Sequence, residues 1–429
     1  MRANDCGNAN GPLMSGFSRI RLLTLFVLLS GVLSLWSACH SNCLGIKRCI
    51  RPGDFWMRHN EICCSHEGVN PFDVWNRTVV HPKYKGHEHP PFPDDTSDKL
   101  VVHAYPPWHT AFMWWMGYVS YPRAVSVLFF AFGIAAWGMI GFIKRRQPMT
   151  RDLQFLYWSL CLGTIIVPLY FCFIFGNYGL LITALMMVLF TSMERRGVGW
   201  DLLGGMALSL MMVKPQMGAL FAMPLLFSKR FVMLGISGAI CLGATAWTAT
   251  AYHQSMIDLL LQVPQIGAPW VGPRFWPPLK VCHYPVLLQR VEMLLSVILC
   301  GVGCYWTRGI KEKWIASIPA VLLFPIWTYS NVYDGIGEVF VWMLVALALT
   351  GMVESITERM RRRLGYLLVG MLGLSIIQSL IVGFGDCFSA PVRLWQAKEI
   401  ALYLIRNAIL LAKVTLTAVC LSLRLKSDC

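Results

Sequence analysis

The chain has 429 residues, of which 56% are hydrophobic and only 14% charged, with a mean hydropathy of +0.55. A soluble domain carries charge on about 25% of its residues, so the composition excludes an ordinary soluble globular protein and points to a polytopic membrane protein. The net charge of +15 would suit nucleic acid, but a membrane protein gathers Lys and Arg in its cytoplasmic loops for topological reasons, and nucleic-acid binding is not expected.

Apolar runs of membrane-spanning length, about 17 to 25 residues, begin at Leu22–Ala38, Pro122–Phe142 and Leu153–Phe173. Shorter ones follow at Tyr178–Met193, Leu202–Val213 and Met217–Phe227. Phe231–Ala251, Val286–Trp306, Trp314–Tyr329, Gly337–Val353, Tyr366–Phe384 and Ile400–Leu423 complete a set of about twelve segments. The expected fold is therefore all-α, and every second loop is basic: "KRRQPMTR", "ERR", "SKR", "TRGIKEK", "ERMRRR" and "RLK" alternate with loops that are not. The positive-inside rule then puts both termini in the cytoplasm. Residues 1–21 form a cytoplasmic N-terminus and 22–429 a single integral-membrane domain; the first segment reads as an anchor, although Ser37–Cys39 leaves a cleavable or lipoprotein-like reading open.

The external loops are unequal. Residues 39–121 form the longest polar segment, with short helices expected at Asp54–His66 and Trp108–Val119, and 252–285 form a second loop rich in Pro, Gly and Trp. Loops this long are usually functional, so the active face is expected outside. The loop histidines and tryptophans read mostly as packing groups or interface anchors. Cys39, Cys43, Cys49, Cys63 and Cys64 crowd the first loop, which admits a disulfide or two in an oxidising compartment. No paired CxxC, Walker loop, GxGxxG or nucleophile elbow is present in the sequence, so no metal and no cofactor are expected.

The ionisable residues carry the functional signal. Lys214 and Pro215 interrupt the apolar stretch "LLGGMALSLMMVKPQMGALFAMPLLF". A charge at the bilayer centre costs about 3 kcal/mol even on the lenient insertion scale, and it is tolerated where it faces protein or a wet cavity. Pro215 breaks the helix and presents the lysine at its end. "RPGDFW" puts Asp54 at the foot of the large loop, where it reads either as an N-cap or as a general base. "HAYPPWH" puts His103, Tyr105 and His109 where the chain re-enters the membrane, and "FIFGNYG" puts Gly176 and Asn177 at an external turn. Arg290, Asp334 and Glu338 lie toward the same side, and Arg406 lies in the last segment.

A carboxylate at the water boundary together with cations in the outer half of the bilayer suits attack by a hydroxyl on a lipid-linked phosphosugar. The carboxylate takes the acceptor's proton, and the cations hold the lipid phosphate and balance the charge that grows on it. An apolar groove would hold the lipid chain.

The order of "GDFW", "YPP", "GN" and "GGMALSLMMVKPQMGALFAMPLLFSKR" resembles glycosyltransferase family 87, most closely over Gly176–Arg230. The resemblance implies the C-type, multi-helix glycosyltransferase fold and an inverting transfer, on the external face of the cell's inner membrane, from a polyprenyl-phosphate donor carrying mannose or another hexose or pentose to a lipid or glycan acceptor of the cell envelope. It maps the family's catalytic aspartate to Asp54 and its Lys-Pro-Gln to Lys214, Pro215 and Gln216. Donor phosphate and lipid contacts are expected from Lys214, Gln216, Arg290, Arg406, Tyr105 and Asn177. The sequence departs from the family at "IWTYSNVYDG", where relatives often carry a histidine. An acid, base or acceptor-binding role is then left to His103, His283, Asp334 or Glu338. The competing class is a membrane transporter or flippase of lipid-linked sugars, which typically shows two matching halves; no such repeat is visible here.

Overall fold

The computed structural model describes residues 53–68, 105–146, 151–261, 286–327, 332–349 and 358–385, with residue 32 and parts of 405–418. Among the described residues the secondary structure is helical and contains no strand. Two described helices, Tyr121–Ile143 and Phe231–Ala251, are long and apolar enough to cross a membrane, and shorter apolar helices lie at Gly179–Glu194, Val198–Met211, Pro215–Phe227, Met293–Thr307 and Gly335–Ala348. The expected segments at 22–38 and 400–423 fall largely outside the described residues.

The chain divides into two compact units. One comprises Asn42–Pro148, Val167–Val341 and Ser427–Cys429; the other comprises Met1–Ser41, Met149–Ile166 and Trp342–Lys426. In the first, helix α1 (Gly53–His66) precedes α2 (Pro107–Met113), which runs into a 3-10 segment at Trp114–Tyr118. Pro107 starts α2 well because a first-turn residue needs no hydrogen-bonded N–H and its φ is already helical. Helices α3 (Tyr121–Arg146) and α4 (Arg151–Phe175) follow, the latter entering this unit at Val167.

Helix α5 (Gly179–Glu194) packs on α6 (Val198–Met211), and α6 packs on α9 (Phe231–Ala251). The α6–α9 approach depends on two glycines. A Cβ on Gly205 would stand 2.6 Å from Ile236 Cγ2, and one on Gly204 would stand 2.8 Å from Met233 Sδ. Between them in sequence, the chain rebuilds itself as α7 (Pro215–Gly218) and α8 (Ala222–Phe227). Helices α10 (Val286–Thr307), α11 (Lys313–Ala316) and α12 (Ile318–Trp327) complete the unit's longer elements. Phe190 is fully buried, 5.0 Å from Phe340 edge to face and 6.0 Å from Phe221.

The core of this unit is not matched by a polar surface. Phe130 and Trp137 of α3 are 71% and 78% exposed. Exposed aromatic side chains on an apolar helix, together with the other apolar helices, suit a membrane protein.

The second unit takes the first part of α4, the residues from Trp342 of α13 (Val339–Leu349) and α14 (Glu358–Gly385). It buries Tyr157, Leu160, Trp342 and Leu368.

Candidate functional site

Three polar residues far apart in sequence meet in the first unit. Asn177 Nδ2 donates to Asp54 Oδ2 at 2.9 Å, and Lys214 Nζ donates to Asn177 Oδ1 at 2.6 Å. Asp54 and Lys214 therefore meet through the amide of Asn177. Lys214 is 3% exposed and Asn177 2%.

Each is held in place by a local feature. Asp54 lies in the first turn of α1, its Oδ2 turned toward a residue 123 positions away. Asn177 follows Gly176, whose φ of +62° supplies the left-handed residue that ends α4. The Asn177 N–H then closes back on the Cys172 carbonyl at 3.0 Å. The Asn177 Oδ1 also accepts the Gly179 N–H at 3.2 Å. That contact fixes the orientation of the amide independently, because only oxygen can accept there; Nδ2 must face the carboxylate.

Lys214 sits where α6 gives out. Its φ of −113° and ψ of 87° are not helical, as the residue before a proline requires, and Pro215 begins α7. Met217 and Gly218 return their N–H groups to the Lys214 carbonyl at 2.8 and 2.9 Å. Trp108 of α2 donates its indole N–H to the Met212 carbonyl at 2.8 Å, which satisfies a carbonyl that the helix end leaves open. The interruption at "VKPQ" is thus a short loop between helices, with Lys214 and Gln216 buried.

A second polar group packs beside the first. Arg58, one turn along α1 from Asp54, pairs with Glu61 at 2.6 Å, and their side chains are 4% and 1% exposed. Burial alone would lower the Arg58 pKa, but Glu61, then Tyr105 and Asp54, raise it above the ordinary arginine value; the group is a permanent cation. The guanidinium lies 4.7 Å from the centre of the Tyr105 ring. Tyr105 in turn lies 4.6 Å from His109 and 5.8 Å from Tyr178, and His109 Nε2 stands 3.4 Å from the Tyr178 hydroxyl.

The interfacial segments that carry these groups are tied down in several places. His59 Nε2 contacts the Val119 carbonyl at 3.0 Å and His66 Nε2 the Trp114 carbonyl at 2.9 Å. His66 stacks on Trp114 at 4.1 Å, Trp114 meets Trp247 edge to face, and Thr248 donates to the Pro107 carbonyl at 3.0 Å. These histidines and tryptophans act as packing groups.

A cavity of about 1190 Å³ opens beside the site, lined by α3, α5 and α6. Tyr178 and Val213, the sequence neighbours of Asn177 and Lys214, line it at one end of α5, and Arg145, Arg195 and Lys311 line it toward the other. Its walls between are mostly apolar, with Ile134, Leu185 and Leu203 among them.

The structure thus brings together Asp54, Asn177, Lys214 and, through Arg58, Tyr105. Glu338 is half-buried at the end of the 3-10 segment Val332–Glu338, which packs on α5. Arg290 lies on α10 and Asp334 in that 3-10 segment, their side chains outside the described set. His103, His283 and Arg406 lie outside the described residues altogether. Arg58, Glu61 and Tyr178 had no place among the sequence candidates, and His109 was named at the re-entry of the chain without an assigned role. The positions Asp54, Arg58 and Glu61 fall at i, i+4 and i+7, the spacing of one helix face, and that was the available signal. Cys63 and Cys64 are buried free thiols, while Cys39, Cys43 and Cys49 lie outside the described residues.

Residues 103–270 match the family model of glycosyltransferase family 87. The match supports the family read from the sequence and indicates a glycosyltransferase, an enzyme that takes a sugar from a donor and passes it to an acceptor. The matched stretch contains Asn177, Lys214 and Gln216 and begins after Asp54. No curated protein and no solved structure matches the chain.

Proposed function

We propose that the protein is an inverting membrane glycosyltransferase that moves a sugar, mannose or another hexose or pentose, from a polyprenyl-phosphate donor to a lipid or glycan acceptor on the external face of the cell's inner membrane. The observation that carries this reading is the chain Asp54–Asn177–Lys214, a carboxylate and an ammonium held one amide apart. An inverting transfer needs such a pair. Asp54, as general base, takes the proton of the acceptor hydroxyl while that oxygen attacks the anomeric carbon. The bond from that carbon to the phosphate oxygen breaks, and Lys214 balances the charge that grows on the departing polyprenyl phosphate. Base and cation must act on different sides of the reacting carbon, so they must be near each other without being in contact.

The remaining roles rest on the sequence and on residue chemistry. Gln216, Arg290, Arg406 and Tyr105 share the donor's phosphate and lipid end, and His103, His283, Asp334 and Glu338 are left for acceptor contacts or acid–base work. The apolar cavity along α5 suits the polyprenyl chain: α5 has 16 residues, and at 1.5 Å per residue it runs for roughly 24 Å, close to the hydrocarbon depth of about 30 Å. The reading includes the C-type fold with about twelve membrane segments, residues 22–429 as one integral-membrane domain, and both termini in the cytoplasm. No metal or cofactor takes part in it.

The test is transfer of radiolabelled sugar from a panel of synthetic polyprenyl-phosphate donors to total membrane lipid by purified protein. Transfer by the wild type that collapses in Asp54→Asn supports the reading, and the donor that works names the sugar. Absence of transfer with every donor would turn the assignment toward a transporter or flippase.

A further inference from the structure

Asp54 and Lys214 present a difficulty that Asn177 resolves. A carboxylate and an ammonium in a poorly screened site attract each other strongly. Brought into direct contact, they would make an ion pair, and the pair would disable both: each charge would be turned toward the other, the carboxylate away from the acceptor hydroxyl and the lysine away from the donor phosphate. In the structure the two charges meet through a neutral amide. Its N–H₂ faces the carboxylate at 2.9 Å and its oxygen faces the ammonium at 2.6 Å, so each charge finds a group of matching polarity.

The amide is not free to turn over. The Gly179 N–H holds Oδ1 at 3.2 Å, and the Asn177 backbone is pinned by its own N–H to the Cys172 carbonyl at 3.0 Å and by the left-handed Gly176 before it. Reversal would set the amide oxygen against the carboxylate and the N–H₂ against both the ammonium and the Gly179 N–H. Asn177 is also 2% exposed, so water does not compete for these contacts.

We propose that Asn177 is a positioning residue which keeps Asp54 and Lys214 from closing into an ion pair, so that the carboxylate can meet the acceptor hydroxyl and the ammonium the donor phosphate. This rests on the sugar-transfer reading above and sharpens it. Asn177 acts through the two charges it separates and does not itself hold the phosphate. Without it, Lys214 closes onto Asp54.

Binding tests this without requiring turnover. A short-chain polyprenyl phosphate is titrated calorimetrically into the purified full-length protein in detergent. Asn177→Leu, with the same branching at Cγ and unable to bridge, is expected to weaken binding about tenfold, the effect of losing one charge contact. The decisive variant is the double one. Asn177→Leu with Asp54→Asn removes the carboxylate that captures the lysine, and it is expected to bind within about twofold of Asp54→Asn alone. Asn177→Ser, too short to span the gap, should behave as Asn177→Leu does and be rescued in the same way. A thermal melt of each variant in detergent accompanies the titration, so that weak binding by a folded Asn177→Leu is distinguished from misfolding. A double variant as weak as Asn177→Leu would overturn the proposal, because Asn177 would then serve as a phosphate ligand or a structural prop. Absence of binding by the wild type and by Asp54→Asn would overturn it together with the polyprenyl-phosphate reading on which it stands.

Discussion

Arg58 and Glu61 form an ion pair at 2.6 Å inside the protein, one helical turn beyond Asp54, with the guanidinium against the ring of Tyr105. Two buried charges are expensive, and a buried pair adds little net stability over apolar residues of the same volume. Their presence is better explained by what they hold. Arg58 fixes Tyr105, and Tyr105 packs on His109 and Tyr178, next to Asn177.

The first prediction is that Glu61→Gln removes the ion-pair partner of a buried cation and destabilises the protein by about 3 kcal/mol or more. The double variant Arg58→Met, Glu61→Leu is expected to be clearly more stable than Glu61→Gln while losing activity, since Tyr105 is no longer held. Thermal unfolding in detergent, followed by circular dichroism, reads the first quantity and sugar transfer the second. A double variant less stable than Glu61→Gln would mean that the pair serves stability itself.

The second prediction separates the two ends of the Asp54–Asn177–Lys214 chain. Asp54→Asn keeps the size and a hydrogen-bonding oxygen but cannot take a proton, so kcat should fall by roughly 10²- to 10⁴-fold, the usual reach of a general base, while donor KM changes little. Lys214→Met should raise donor KM and lower kcat together, because the lysine meets the phosphate both before and during bond breaking. Lys214→Arg should not restore function: the lysine is 3% exposed in a packed surrounding, and the larger fork does not fit. Steady-state kinetics with varied donor decide between these patterns; equal kcat in Asp54→Asn and wild type would move the base elsewhere.

How much of this was legible in the sequence depends on the range of the interaction. Lys214 and Pro215 could be singled out because a lysine in an apolar run is anomalous by itself, and the proline dictates the local break. The helix at α1 and the glycine turn before Asn177 are likewise local. Arg58 and Glu61 were hidden because a charged pair in a polar loop looks solvated, and nothing in a sequence states that α1 is buried. Nor could the sequence show that Asn177 bridges Asp54, 123 residues earlier, and Lys214, 37 residues later. Turn chemistry placed Asn177 at a boundary, but only tertiary packing gives its amide two charged partners. His109 was visible as a residue and not as a neighbour of Tyr178, 69 residues on.

The third prediction concerns Cys63 and Cys64. Both are buried free thiols, at 3% exposure each. Burial, and then the neighbouring Cys63, push the Cys64 thiol from its ordinary 9.0 up to about 12. The thiolate is the reactive form, so native protein at pH 8 should resist iodoacetamide at both positions and be alkylated promptly once unfolded, as mass spectrometry of peptides will show. The raised value also fixes the sign of the pH effect. The group's contribution to stability is intact below 9.0 and is lost as pH climbs toward about 12, so the melting temperature should be insensitive to Cys64 from pH 6 to pH 8. Rapid alkylation of the native protein would contradict the burial.

The fourth prediction tests the geometry that delivers Lys214. Helix α6 approaches α9 only because Gly204 and Gly205 have no side chains; a Cβ on Gly205 would stand 2.6 Å from Ile236 Cγ2 and 3.0 Å from the Met233 carbonyl. Gly205→Ala would raise helix propensity by about 1 kcal/mol, yet the clash should dominate, because overpacking a close contact costs about 1 to 3 kcal/mol. Since α6 ends directly before the Lys214 loop, a displaced helix moves the lysine as well, and catalysis is sensitive to such misplacement. Gly205→Ala is therefore expected to lower both the melting temperature and donor affinity. Adding Ile236→Ala removes the Cγ2 contact but leaves the Cβ of residue 236 at 2.7 Å from the new methyl group, so it should recover only part of both. The carbonyl of Met233 cannot be trimmed, so recovery will be incomplete. If Gly205→Ala instead stabilises the protein, the two helices are not in close contact, and the small residues of α6 have some purpose other than packing.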